Sequence, residues 1–222
     1  MSEAKAEVFS ASDWGGGALP YRVGHKKLGM WLFILSDSLT FAALLMGYSY
    51  VRFSSDYWAK PFQFSPSVIF STVMTMFLLS SSLTMVFAVS AAKHGKKRAA
   101  RKWIFATMAC GLGFVVLHLI EWMHLIGEGL TPFQLPKEWI AEALKAGHPM
   151  PSPLFGATFF GITGLHMFHV FSGVCYLGVI AMGIKRFNDE DVEIAGLYWH
   201  FVDLVWMFVF PLVYLLSVPP RG

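Results

Sequence analysis

The sequence predicts an all-α integral membrane protein: a bundle of five transmembrane helices, N-terminus cytoplasmic and C-terminus outside. Three observations carry this expectation. The 222 residues are 55% hydrophobic with a mean hydropathy of +0.55, and 14% are charged, against about 25% in ordinary soluble domains. Five apolar runs are each long enough to cross a hydrocarbon core of about 30 Å, which takes roughly 20 helical residues. With the N-terminus placed inside, 12 of the 17 Lys and Arg fall on the inner side, as the positive-inside rule requires.

The runs cover residues 28–52, 66–92, 103–127, 154–184 and 194–217. Each must be helical, because lipid offers the backbone no hydrogen bonds. Pro66 and Pro153 stand at tolerated helix-start positions. Pro211 lies inside the last run, where it removes one backbone bond and predicts a kink. Residues 1–24 are polar and Gly-rich and read as a tail; residues 25–222 read as one transmembrane domain. The HGKKRAARK segment, Lys93 just before it, forms an inner loop facing anionic headgroups rather than a nucleic-acid patch. The longest connection, 128–153, lies outside. Its PKEWIAEALKAG stretch reads as a short amphipathic surface helix closed by Gly147. Cys110 and Cys175 fall inside apolar runs without CxxC spacing, so neither a disulfide nor a metal framework is expected.

The informative residues are polar ones inside lipid. An ionisable side chain at mid-membrane costs roughly 2.5–3.5 kcal/mol on insertion scales, so it marks a packed internal site or chemistry. His166 and His169 share a helix face and read either as metal or haem ligands or as residues bonded across a helix interface. Gly161, Gly164, Ser172 and Gly173 on that helix favour the second reading. His200 and Asp203, flanked by Trp199 and Trp206, read either as a proton relay or as a mutually satisfied pair that fixes helix packing. Glu121 stands between His118 and His124 in an HxxExxH spacing that resembles half of a di-iron site. Such a site needs four carboxylates at one depth. At 1.5 Å per residue, Glu121 lies about 9 Å to the outside of its span's centre, whereas Asp37 and Asp203 lie a few Å to the inside. Asp37 is the most isolated acid, with Ser36, Ser38 and Thr40 nearby. It reads either as a proton-linked or lipid-contacting site or as a carboxyl bonded to a neighbouring helix. Ser80, Ser81, Ser82 and Thr84 are expected to pack closely or to bond back to helix carbonyls.

Taken together, four segments resemble subunit III of the haem-copper respiratory oxidases, the cytochrome c oxidase and quinol oxidase family. LYWHFVDLVWMFVFPLVY is similar to the family's closing WHFVDxVW segment. FFGITGLHMFHVFSG is similar to its TFFxxTGxHxxHVxxG helix. LHLIEWMHLIGEG resembles the helix ending in a Glu-aromatic pair, and LGMWLFILSDSLTFAALLMGY the helix with an acid after a serine, here Asp37. The likeness covers all five spans. Two departures stand out: the larger family form has seven helices, and many cytochrome c oxidase members have Glu where this chain has Asp37.

The resemblance implies an accessory subunit of a proton-pumping terminal oxidase, with no haem or copper in this chain and no catalytic residue. The redox centres are expected in partner subunits I and II. The implied role is to pack on subunit I, bind phospholipid, sustain proton uptake and protect the catalytic core, in a bacterial inner membrane. Other respiratory complexes are further candidate partners. Asp37, His118, Glu121, His166, His169, Trp199, His200, Asp203 and Trp206 would then be buried packing or lipid-site residues. Competing readings are a subunit of a quinol oxidase or of a nitric oxide reductase relative, a haem b carrier using histidines from several helices, and a proton-coupled transporter using Asp37 and Asp203.

Overall fold

The computed structural model describes residues 24–60, 62, 67–184 and 186–218. The tail 1–23, Pro66, Lys185 and Arg221, each assigned a place above, lie outside them. Six α-helices occur among the described residues, five of them long and apolar enough to cross a membrane. They are α1 (His25–Ser54), α2 (Ile69–Lys93), α3 (Lys97–Gly127), α4 (Lys137–Lys145), α5 (Leu154–Met182) and α6 (Asp189–Val209). A π turn (Phe210–Tyr214) and a 3-10 turn (Leu215–Ser217) continue the last span. Pro211 sits in that π turn, where the regular α-helical hydrogen-bond pattern ends.

The expected boundaries hold to within a few residues except at two ends. α3 begins at Lys97, so Lys97, Arg98, Arg101 and Lys102 occupy its first two turns instead of a loop. α6 begins at Asp189, five residues before the apolar run. Its start is set by local chemistry. Asn188 and Asp191 form a capping box, the Asn188 N–H donating to Asp191 Oδ2 at 3.1 Å. Asp189, Glu190 and Asp191 all suit the positive end of the helix.

Helix ends on both faces use one device. Gly95, Gly129 and Gly147 adopt φ of 70°, 95° and 75°, and the residue after each donates back to a carbonyl in the preceding turn: Lys96 to Ala91, Leu130 to Leu125, His148 to Ala143. The first makes the α2–α3 connection so short that these helices pack as an antiparallel hairpin, the most extensive helix contact in the fold. α6 packs against α1, α2 and α5, and α5 also against α3.

α1 is peripheral. Phe41 and Tyr48 are its two buried residues, and ion pairs and hydrogen bonds hold its ends. At its N-terminal end Lys26 pairs with Asp191 (2.8 Å), Lys27 with Glu193 (2.9 Å), and Lys93 of α2 with the same Glu193 (3.3 Å). At its C-terminal end Arg52 donates to the Leu216 carbonyl at 2.6 Å and to the Tyr48 hydroxyl at 3.1 Å.

Candidate functional site

The polar side chains converge on a seam between α2 and α6 that continues toward α3 and α5. α2 runs antiparallel to α6, so its hydroxyls meet polar tips of α6 level by level. Ser82 Oγ lies 2.8 Å from His200 Nδ1. The Trp199 indole N–H donates to Ser81 Oγ at 2.9 Å, and that of Trp206 to Thr75 Oγ1 at 3.0 Å. At the level of the π turn Glu121 of α3 accepts from Ser71 (3.1 Å) and from Tyr214 (2.6 Å). The hydroxyls can do this because most also bond back to their own helix: Ser71 to Ser67, Thr75 to Ser71, Ser81 to Leu78. Two indoles, an imidazole and a carboxyl are thereby held by four hydroxyls of α2; of these, Ser81 bonds back to its helix as expected, while Ser82 turns to His200 instead.

Close approach at the seam depends on glycine. A Cβ on Gly111 of α3 would fall 2.5 Å from the Trp199 ring, and one on Gly173 of α5 3.0 Å from Trp199 and Tyr198. Gly164 faces Trp122, but Gly161, expected to serve packing, faces open space.

His166 and His169 separate in role. His169 joins α5 to α1: its Nε2 lies 3.3 Å from Asp37 Oδ2, and its Nδ1 2.8 Å from the Leu165 carbonyl. A carbonyl only accepts, so Nδ1 carries the hydrogen, and Nε2 faces Asp37 with one proton to share. The isolated acid of the first span therefore has a partner on another helix. His166 does not bond across an interface as expected. Among the described residues neither of its ring nitrogens has a hydrogen-bond partner, and it stacks on Trp206 at 5.0 Å with Phe114 edge-on at 5.7 Å. Aromatic packing, not hydrogen bonding, positions it.

His118 is also fully buried and comes to the same place from α3, stacked on Phe114 and 5.7 Å from Trp206. The bundle brings His118 and His166 into contact with one indole. Trp206 is fully buried and within ring contact of both. The HxxExxH grouping dissolves. His118 Nδ1 stands 3.6 Å from Glu121 Oε2, longer than a hydrogen bond, while His124 turns outward to pair with Glu128 at 3.3 Å. Among the described residues no three His, Cys, Asp or Glu side chains converge as a metal ion would require. Cys110 and Cys175 are unbridged.

The expected His200–Asp203 bond does not form. His200 turns to Ser82, and both Asp203 carboxylate oxygens are buried without a hydrogen bond among the described residues. Ser82 lies close to that carboxyl as well. Residues three apart on a helix share a face, but their side chains point toward whichever neighbouring helix offers a partner. Sequence reasoning missed Ser71, Thr75 and Tyr214 as members of the seam. The signal was available for two of them: Ser71 and Thr75 are one turn apart and continue toward Ser82 along one side of α2.

Residues 136–218 match the family model described as cytochrome c oxidase subunit III. The chain is similar to the cytochrome bo(3) ubiquinol oxidase subunit 3 of Pseudomonas putida, at 31% identity over 202 residues and 86% of each chain. It is similar to the cytochrome c oxidase subunit 3 of Bacillus sp. (strain PS3), at 28% identity over 219 residues, 96% of this chain and 95% of that one. A probable quinol oxidase subunit 3 of Staphylococcus haemolyticus matches at 29% identity over 201 residues, 88% of this chain and 91% of the relative.

Proposed function

Because the chain belongs to the cytochrome c oxidase subunit III family, we propose that it is an accessory subunit that carries no redox centre, packs on subunit I and stabilises the proton-pumping core. Membership by itself makes it a multi-pass membrane subunit of a haem-copper oxidase, an oxidoreductase complex. The finer role rests on one observation: several buried polar side chains hold helices together. Trp199, Trp206 and Glu121 each bridge two helices, and His169 with Asp37 bridges two more. In this reading haem and copper reside in subunits I and II. The electron donor, cytochrome c or quinol, is selected there. The apolar, exposed face of α1 meets phospholipid or a partner subunit. The N-terminus and the basic start of α3 lie on the cytoplasmic side of a bacterial inner membrane, where the positive-inside rule puts them.

The test is extraction of the tagged chain in mild detergent, with a visible spectrum and mass identification of what accompanies it. Haem-copper subunits I and II are expected, with the haem absorbance leaving when this chain is dissociated. A lone chain that keeps a Soret band would overturn the reading.

A further inference from the structure

We propose that Tyr214 and Glu121 form a proton-coupled redox pair, which takes up an oxidising equivalent delivered through Trp206. The pair lies wholly within this chain and does not depend on which complex the chain joins.

Tyr214 closes the π turn and is fully buried. Its hydroxyl donates to Glu121 Oε2 at 2.6 Å, a short bond of the kind a carboxylate accepts. Its ring lies 5.9 Å from that of Trp206, which is also fully buried. The His118 ring stands 5.7 Å from Trp206 and 5.7 Å from Trp122, and Trp122 is only partly buried. Rings in contact therefore run from the surface of α3 to the phenol, and an electron can cross in short hops rather than one long one.

The proton partners set the direction. Removing an electron from an indole or a phenol makes its N–H or O–H strongly acidic. A radical cation held in a site closed to water is a buried, uncompensated charge, so the oxidising equivalent settles where the proton can leave. The Trp206 N–H faces Thr75 Oγ1 at 3.0 Å, a hydroxyl and a poor base. The Tyr214 O–H faces a carboxyl oxygen. Glu121 can take that proton without losing a bond. Ser71 has one hydroxyl hydrogen and two acceptors in reach, Glu121 Oε1 at 3.1 Å and the Ser67 carbonyl at 3.0 Å. Once the proton sits on Oε2 it bonds back to the phenoxyl oxygen, and Ser71 is free to turn to Ser67. The other titratable group facing this carboxyl is His118, whose Nδ1 lies 3.6 Å from Oε2.

The step balances. The oxidant is a peroxyl radical, a class that arises in an oxygenated bilayer. It takes one electron by way of Trp122 and Trp206 and becomes a peroxide anion. Tyr214 supplies that electron and passes its proton to Glu121 Oε2. The Tyr214 O–H bond breaks and a Glu121 O–H bond forms, so a phenol and a carboxylate become a phenoxyl radical and a carboxylic acid.

Pulse radiolysis of the full chain in detergent tests this, with the azide radical as oxidant because it attacks indoles ahead of phenols. Indolyl absorbance decays into phenoxyl absorbance, and the wild-type minus Tyr214→Phe difference isolates the Tyr214 component. In the wild type that component rises at a rate independent of protein concentration, as transfer within one molecule requires. Glu121→Gln keeps an acceptor for the phenol but is a far weaker base, and it slows the rise by roughly a hundredfold, the lower end of what a positioned proton acceptor contributes. Trp206→Phe removes the last indole before the phenol and lowers the amplitude. Equal phenoxyl amplitude in Tyr214→Phe and wild type overturns the proposal, as does an equal rate in Glu121→Gln and wild type. Should Tyr214→Phe not fold, phenoxyl formation unchanged in both Glu121→Gln and Trp206→Phe overturns it.

Discussion

Removing the Glu121 carboxyl should unlock the outer end of the bundle by an amount its hydrogen bonds predict. Glu121 is 8% exposed and accepts from Ser71 and Tyr214 on two different elements. In Glu121→Ala, Ser71 keeps its bond to the Ser67 carbonyl, so only the inter-helix bond is lost, about 0.6 kcal/mol on the membrane-protein average. Tyr214 is fully buried and its hydroxyl is left without an acceptor, a penalty of about 1–3 kcal/mol. The sum is about 2–4 kcal/mol. For a chain of this length each kcal/mol moves the thermal midpoint by about 2–4 °C. Glu121→Gln keeps an amide oxygen for Tyr214 and an N–H for Ser71, and should cost under about 1 kcal/mol. Tyr214→Phe removes the stranded donor, so Glu121→Ala combined with Tyr214→Phe should be less destabilised than the two single changes added together. The assay is thermal unfolding in one detergent for all four variants. If Glu121→Ala is no less stable than Glu121→Gln, or the double variant is simply additive, the carboxyl does not bridge the two elements as described.

Other predictions concern the remaining contacts. Asp37→Asn can donate to His169 Nε2 and should preserve association with the oxidase, whereas Asp37→Ala leaves that nitrogen unpaired and should lower subunit III content after detergent washing; equal retention would rule out the Asp37–His169 clasp. Gly111→Val drives a branched side chain into the Trp199 ring and should cost at least about 1–3 kcal/mol of overpacking, read as a lowered thermal midpoint with altered tryptophan fluorescence. Gly156→Ala places a methyl against the Thr131 carbonyl oxygen; it should loosen the outer connection and speed tryptic cleavage at Lys137 and Lys145 without changing helix content. Trp206→Phe keeps the ring between His118 and His166 but deletes the donor to Thr75, and should cost about 0.6 kcal/mol, far less than Trp206→Ala.

Much of the fold was legible in the sequence because lipid imposes it. Span number, helix type and the surface helix ending at Gly147 follow from apolar run length, backbone satisfaction and glycine at a left-handed position. The start of α6 was not legible from hydropathy, because Asn188 and Asp191 set it by capping chemistry in a polar stretch. The site was legible as a set of residues but not as a set of contacts. Glu121 is 50 residues from Ser71 and 93 from Tyr214, and no helical periodicity encodes which distant helix a side chain will meet. Local spacing misled twice for the same reason. His200 and Asp203, and likewise His118 and His124 about Glu121, share a face by count, yet they do not pair: His200 turns to Ser82, Glu121 to Ser71 and Tyr214, and His124 to Glu128. Asp37 looked solitary because its partner, His169, lies four helices later in the chain.

The double fastening of α1 has a consequence for how the subunit is made. Lys26 and Lys27 at one end reach residues 165 and 166 positions later, and Arg52 at the other reaches one 164 positions later. The first of these five spans is therefore secured by the last, and its own mid-membrane packing is thin. During synthesis it must wait in the bilayer until the last of them is inserted. Truncation before Leu216, or a translational stall within α6, would leave a chain with its hairpin and central helices formed but its opening helix adrift. Quality-control proteases that survey the membrane would meet such a chain with a loose N-terminal span, and completion of the C-terminus would be the event that withdraws it from them.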